Sequence, residues 1–497
     1  MGKTQNYLAL DLGAESGRAI LGRFDGNRIE LNEVHRFPNG GVGMLLKSGG
    51  VSLHWDILRL WTEIKNGISY VSRKMGEPLE GIGLDTWGVD FGLLDRNGSL
   101  VANPYCYRDS RTDGMLEEAF RRMPREQIFE HTGIQFMQLN TLYQLLAMAV
   151  QHAPELEIAE TFLTMPDIFN YWLTGQMVCE FTIATTTQFY DPRKRDWSEP
   201  LLAAMGIPRK LFPPVIKSGT VLGKLIPTLA DEVGAQMNVV APACHDTGSA
   251  VGAVPAGDDG FVWISSGTWS IIGTNVNEPV INQKSLEYNF TNEGAADGGF
   301  RLCKNIAGLW LVQECRRTWA LAGEEYSYTD LTAMAAEAKP LVSFLDPDDK
   351  EFLRPGNMPT RIREYCKRTG QKIPETKGEI VRCALQGVAF KYRYVLECLE
   401  NMVEHPLEPI HIVGGGTQNL LLNQLTADAT GKRVVTGPIE ATAMGNIIAQ
   451  AVALGHISSF QQGRDIVCAS CELKSFEPVE TKRWDDAYGR FKRLLEG

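Results

Sequence analysis

Cysteine is scarce: 10 residues in a chain of 497 cannot supply the dense cross-links of a small secreted scaffold. Cys468-Ala-Ser-Cys471 is a lone CxxC with no second pair at zinc spacing, so its thiols read as incidental. Cys366 and Cys383 would pair only in an oxidising setting. Basic charge is also in deficit, 49 Lys and Arg against 60 Asp and Glu, a formal net of −11. Such a balance does not suit nucleic acid or an anionic membrane surface, both of which want clustered cations. No uncharged apolar run approaches about 18 residues, which argues against a membrane span. The opening MGKTQNYLALDLG has no basic stretch leading into a long apolar core; a secretory leader is not expected, and the expected address is cytoplasmic. Met1-Gly2 begins like an acylation site, but Asn6 stands where that motif wants Ser or Thr. Gly-x4-Gly-Lys-Ser/Thr occurs nowhere, so a Walker A loop is excluded. Low-complexity tracts and short solenoid periods are missing too.

What is present is a repeat on a coarse scale. Leu8–Gly22 runs apolar into the turn Asp11-Leu-Gly-Ala-Glu-Ser-Gly-Arg18 and returns apolar. Residues 239–274 do the same near the middle of the chain, through His245-Asp246-Thr247 and then Ser265-Ser266-Gly267-Thr268-Trp269-Ser270. The length favours at least two domains, because single cores stop growing near roughly 250–300 residues. Two similar turns far apart suggest one nucleotide site assembled from two halves, with the boundary near 245–256.

Between these turns, Trp55–Tyr70 has helical spacing with Asp56 placed to start it. Leu79–Asp85 reads as a short strand, continued beyond the turn by Gly88–Leu94. Asn170–Gly175 reads as a helix end closed by glycine. Trp310–Leu321, Gly378–Glu404, Leu420–Thr430 and Ala441–Ala453 read as helices, and Ile410–Val413 as a strand running into Gly414-Gly415-Gly416. The charged tail beyond 470 is expected to pack only on the surface.

Four constellations carry chemistry. In the first turn, glycines let backbone approach a phosphate, successive N–H groups can cradle its oxygens, and Arg18 supplies a cation. Asp11 at the strand end is a candidate for Mg²⁺ held against the same phosphates. An ordinary hairpin turn would use the same residue types. The second turn offers three hydroxyls and no charge for the same phosphate chain. Gly414–Gly416 permits flat backbone under a base or ribose, though its spacing is not the dinucleotide fingerprint. Asp246 is either a helix cap or a general base set against a substrate hydroxyl, and phosphoryl transfer asks for little more than that alignment. Asp85-Thr-Trp-Gly88-Val-Asp90 brings an indole and two carboxylates, partners for a polyol or the makings of a buried tryptophan with a capping aspartate.

The ordered series DLGAESGR (11–18), DTWGVDF (85–91), YRDSRT (107–112), GIQF (133–136), NTLYQL (140–145), TTTQ (185–188), HDT (245–247), SSGTWS (265–270), TNEG (291–294), KNIAGLWLVQ (304–313), VGGGTQN (413–419) and GNI (445–447) resembles the FGGY carbohydrate kinases over nearly the whole chain. The resemblance implies an α/β fold of two actin-like (ribonuclease H-like) domains, with mixed sheets flanked by helices and a cleft between them. Residues 1–245 would bind sugar and phosphate, and 246–497 the nucleotide. Ala14, Glu15, Ser16, Gly17, Arg18 and Thr268 would contact ATP phosphates, and Gln313 and Gly415 the nucleotide. Gly88, His245, Asp246, Thr247 and Asn305 would face the sugar, Asp246 as proton acceptor, with Mg²⁺ on the phosphates. The implied partners are a small-molecule ketose and ATP, for a monomer or small homo-oligomer. The resemblance around 85–91 and 133–145 implies L-rhamnulose as the sugar, phosphorylated at its 1-hydroxyl. L-Fuculose, a pentulose or another linear polyol is the alternative, and a non-catalytic sugar-binding regulator a further one. Two departures stand out. Glu15 occupies a place where a small hydroxyl residue is common, and Thr141-Leu142 replaces the Thr-Lys of glycerol-using members.

Overall fold

The computed structural model describes residues 4–47, 49–257 and 260–496, so the acylation-like Met1-Gly2 lies outside the described residues. The strands that matter here are, in chain order, β1 Gln5–Leu12, β2 Ser16–Phe24, β3 Ile29–Pro38, β4 Gly81–Thr86, β5 Thr220–Lys224, β6 Asn238–Ala241, β7 Val262–Ser266, β8 Trp269–Val276, β9 Thr291–Gly294, β10 Phe300–Ala307, β11 Ile410–Val413, β12 Val434–Thr436 and β13 Ser475–Phe476. The helices are α1 Ile57–Ser69, α2 Thr141–Val150, α3 Met165–Thr174, α4 Phe181–Thr186, α5 Asp246–Gly252, α6 Trp310–Leu321, α7 Lys377–Val403, α8 Leu420–Thr430, α9 Ala441–Ala453 and α10 Thr481–Leu495. They form two compact units. The first comprises Met1–Ala253, Asn275–Leu302 and Ala441–Ser470, the second Val254–Thr274, Cys303–Glu440 and Cys471–Gly497. The sequence suggests one boundary at 245/246, whereas the compact units are discontinuous and α5 and α9 belong to the first.

The first unit's sheet has the order β5–β6–β4–β1–β2–β3. Here β1 is antiparallel to β2 and parallel to β4, β6 is parallel to β4, and β5 closes the edge antiparallel to β6. The apolar run of β1 is buried along nearly its whole length, as a strand covered on both faces must be. Helix α1 starts where Asp56 accepts from Arg59 N. It turns Ile57, Leu60, Ile64 and Ile68 into a core shared with Leu8, Leu10, Ile82 and Leu84. Gly67 of that helix is needed for contact, since a Cβ there would stand 2.7 Å from Ala19 Cβ. Helix α9 lies along β1 and β4 in the same way, over Gly22, Gly81 and Gly83.

The second unit's sheet runs β13–β12–β11–β7–β8–β10, with β7 antiparallel to β8, β7 and β12 both parallel to β11, and β13 antiparallel to β12. Hairpin, two parallel partners and an antiparallel edge thus recur in the same order, which is the coarse repeat read from the two turns. The 27-residue α7 opens on a capping box between Thr376 and Glu379. The tail is not a surface strap: β13 is a sheet edge, and α10 buries Trp484, Tyr488 and Phe491, with Phe390 5.2 Å from Trp484 and 5.4 Å from Phe491. Its aromatics recur at a spacing that a charge count hides. Cys366 and Cys383 are free thiols with sulfurs 3.7 Å apart. Among the described residues no helix is long and apolar enough to cross a membrane.

Candidate active site

Three carboxylates gather at the carboxyl ends of neighbouring parallel strands, where open α/β sheets present ligand sites. Asp11 near the end of β1 is the register partner of Asp85 on β4. Thr86, next along β4, bridges to His245, and its N–H donates to Cys244 O, which brings Asp246 to the same place. Burial pushes the Asp85 carboxyl well above the carboxylate range, and the charges of Asp11 and Asp246 push it further. Asp246 is raised as well, first by burial and also by Asp11, against the lowering influence of His245 and two bonds from Thr247.

The backbone before Asp246 is fixed by groups that sequence reading did not single out. Buried Glu180 caps α4 through Thr182 N and Ile183 N, and its Oε2 also accepts from Thr182 Oγ1 at 2.6 Å and Cys244 N at 3.1 Å. Thr182 Oγ1 in turn accepts from His245 N at 3.1 Å. The helix cap position falls on His245, so Asp246 is the first residue of α5. Its Oδ1 accepts from Thr247 N at 2.5 Å and Thr247 Oγ1 at 3.1 Å, and the side chain stays 29% exposed. The helix-cap reading of Asp246 therefore does not hold, because that position is His245; the carboxylate is engaged by Thr247 and stays available.

Gly88 lies against this group: a Cβ there would stand 3.3 Å from His245 Nε2 and from Thr186 Cβ. Val89, next in line, has φ of 68°, a strained conformation for a β-branched residue. Thr186 Oγ1 accepts from Val89 N, and Thr141 Oγ1 donates to Val89 O. Asp90 is not aimed at a polyol. Its Oδ2 accepts from Trp55 Nε1 at 2.6 Å, Trp87 Nε1 at 2.9 Å and Tyr107 N at 3.2 Å, and its Oδ1 from Gln144 Nε2 at 2.8 Å. For Asp90 and Trp87 the buried-tryptophan reading holds, because both carboxylate oxygens are already engaged by buried donors.

The first turn is braced from outside. Gly13 N donates to Ser16 O, Asn39 N to Glu15 O and Asn39 Nδ2 to Gly13 O. Ala14 and Ser16 are half-buried and Glu15 exposed. Gly17 is small for a packing reason, since a Cβ there would stand 2.2 Å from the Phe37 ring. Arg18 pairs with Asp11 at 2.5 Å. Among the described residues no group of three His, Cys, Asp or Glu side chains is close enough to hold a metal unaided. Asp11, with Asp85 Oδ1 buried and lacking a hydrogen-bond partner among the described residues, is a fitting donor set for a hard cation that brings phosphate oxygens with it.

Thr268, Gln313, Gly415 and Asn305 all belong to the second unit. The turn between β7 and β8 is tied to the start of α6: Leu309 N donates to Gly267 O, and Gly308 N and Trp310 N donate to Thr268 O. Gln313 follows one turn into that helix, half-buried. Gly416 is pressed on Ser266, whose Oγ would be 2.0 Å from a Cβ there, while Gly415 is exposed and faces nothing within 4 Å. Thr268, Gln313 and Gly415 therefore come to one end of β7 and β11, and Asn305 sits on β10. Sequence reading passed over Glu293, Arg301 and Asn446 as individual residues. The available signals were a carboxylate within TNEG, an arginine inside the apolar strand β10, and an amide inside the apolar helix α9.

Residues 6–252 match the model of the FGGY family of carbohydrate kinases, N-terminal domain, and residues 262–454 that of its C-terminal domain. A curated rhamnulokinase of Bacteroides thetaiotaomicron is 43% identical over 492 residues, 99% of this chain and 99% of that one. A rhamnulokinase of Oceanobacillus iheyensis is 41% identical over 475 residues, 96% of this chain and 99% of that one. Among solved structures, a gluconate kinase from Lactobacillus acidophilus superposes with a TM-score of 0.82 at 16% identity, covering 99% of this chain and 98% of that one.

Proposed function

The chain belongs to the FGGY family of carbohydrate kinases, and from that premise we propose that it transfers the γ-phosphate of ATP to the 1-hydroxyl of L-rhamnulose, giving L-rhamnulose 1-phosphate and ADP, in the cytoplasm. The observation that carries the sugar is the 43% identity to a rhamnulokinase across 99% of both chains. Asp246 takes the proton from O1 as O1 attacks the γ-phosphorus and the bond to the ADP oxygen breaks. A carboxylate raised by burial suits this task, since a base is most effective when its pKa approaches the working pH. Its Oδ1 is engaged by Thr247, and among the described residues Oδ2 has no hydrogen-bond donor, which leaves one oxygen for the sugar hydroxyl. Gly88, His245, Thr247 and Asn305 contact the sugar. The backbone of Ala14–Ser16 with Arg18, and Thr268, take the phosphates. Gln313 and Gly415 take the nucleoside. Exposed Glu15 contributes backbone alone, and Gly17 shapes the turn by admitting Phe37. Mg²⁺ held by Asp11 and Asp85 would neutralise phosphate charge as it builds toward the leaving group. The test is ADP release measured over a ketose panel. L-Rhamnulose is expected to give the highest kcat/KM, and preference for glycerol, xylulose or L-fuculose would overturn the assignment.

A further inference from the structure

Behind His245 lies a fully buried charge pair outside the roles assigned above. Arg301 has no exposed side-chain surface, and Glu293 beside it is 7% exposed. Arg301 Nε donates to Gly294 O at 2.8 Å, and its Nη2 lies 3.0 Å from Glu293 Oε2 and 3.0 Å from His245 Nδ1. All three residues belong to the first unit. Burial pushes the Glu293 carboxyl up, but the Arg301 guanidinium beside it opposes this and the carboxyl is held below its usual range, so the pair stays ionised. Burying such a pair costs most of what the attraction returns, which makes it weak as a device for stability alone.

The geometry constrains a proton. A guanidinium nitrogen can only donate, so the imidazole nitrogen facing Arg301 Nη2 must present its lone pair. The ring proton then belongs on Nε2. That nitrogen lies 3.5 Å from Asp246 Oδ1, a contact of the length that free enzymes commonly tighten once substrate binds. It would be the third group on Oδ1, after the two from Thr247. If Nδ1 carried the proton instead, it would donate to Glu293 Oε2, 3.3 Å away, and two donors would face each other at 3.0 Å.

We propose that Arg301 and Glu293 are positioning residues for the base: they hold His245 as its Nε2–H tautomer, which fixes the Asp246 carboxylate through Oδ1 and turns Oδ2 toward the sugar hydroxyl. The inference rests on Asp246 being the base. A histidine so oriented acts as a metal-site outer shell does, by setting the ring and its proton rather than by touching the reacting atoms.

The experiment has one arm that ignores turnover. ¹⁵N spectra of the full-length protein labelled at histidine, with the His245 signal assigned by its loss in His245→Gln, are expected to show the neutral Nε2–H tautomer. A signal for the Nδ1–H form or the imidazolium in the free enzyme overturns the proposal, whether or not the Arg301 and Glu293 variants fold. In the second arm Arg301→Met and Glu293→Gln are expected to lower kcat by about 10–100-fold, the range for outer-shell losses, with KM for sugar and ATP within about threefold of wild type. Arg301→Lys, which keeps a charged donor, is expected to recover part of the loss. A folded Arg301→Met enzyme with wild-type kcat, or one whose defect lies wholly in KM, overturns it too. Wild-type protein that turns over no ketose while showing the Nε2–H signal would count against the proposed function and not against the tautomer.

Discussion

Asn446 donates from Nδ2 to Asp85 Oδ2 at 2.5 Å, although 361 residues of sequence separate them. Among the described residues it is the one donor to a buried carboxyl whose other oxygen, Oδ1, has no partner. Asn446 is held in turn by Gln450 Nε2, which donates to its Oδ1 at 2.7 Å and to Leu8 O at 3.1 Å. Replacing Asn446 by Leu removes the donor and leaves a buried acceptor unmet, a loss of about 1–3 kcal/mol. Urea unfolding should show that drop with an unchanged m-value. Stability within about 0.5 kcal/mol of wild type would mean that Asp85 finds another donor.

The neighbouring residue is smaller for a different reason. A Cβ at Gly445 would stand 1.8 Å from Ser249 O, and a backbone carbonyl cannot swing aside. Gly445→Ala therefore forces α9 and α5 apart. Overpacking of this kind costs typically about 1–3 kcal/mol and sometimes more. Because Ser249 lies three residues beyond Asp246, activity should fall with stability, by more than about tenfold in kcat on the premise that Asp246 is the base. A stable Gly445→Ala protein with full turnover would show that α5 can shift without moving the carboxylate.

Much of this was legible in the sequence, and the remainder was hidden for identifiable reasons. Local signals sufficed for α1, α6, α8 and α9, whose apolar spacing and caps are written within about a dozen residues each. The strand–turn–strand repeat foretold matching sheets, since each hairpin carries its own turn chemistry. Long-range wiring was not legible. Nothing near Asp90 announces that Trp55, Trp87, Tyr107 and Gln144 will all donate to it. Gly17 and Gly445 read as generic small residues until Phe37 and Ser249 arrive from elsewhere in the chain. The tail was misread because its charge outnumbers the three aromatics that face the core.

Asp167 gives stability a sign with pH. Burial pushes its carboxyl up to about 7, against hydrogen bonds from Thr164 and from Glu180 N. The folded pKa lies above the unfolded one, so the folded state holds the proton more tightly. The stabilisation is complete below the unfolded value of 3.8 and is lost as pH rises toward about 7. Each unit is worth about 1.4 kcal/mol, and a decline on the order of 1–4 kcal/mol is expected across that window. Asp167→Asn cannot titrate and should flatten the decline by that amount. Parallel pH profiles for wild type and variant in chemical denaturation would remove Asp167 from the account.

For Asp246 the informative comparison is between binding and turnover. Asp246→Asn keeps an acceptor oxygen for Thr247 N and Thr247 Oγ1, the two donors on Oδ1, so α5 should start normally and the fold should survive. The amide cannot take a proton from a hydroxyl. Loss of a general base is worth about 10²–10⁴ in rate, and the defect should sit in kcat. Nucleotide binding, read by calorimetry with ADP, should stay within about threefold, because the proposed nucleoside contacts at Gln313 and Gly415 belong to the other unit. The substitution also removes a negative charge that raises Asp85, so the Asp85 carboxyl should ionise at lower pH in the variant. An Asp246→Asn enzyme that turns over at near wild-type rate would rule Asp246 out as the base, and the search for one would then move to Asp11 and Asp85 on the adjoining strand ends.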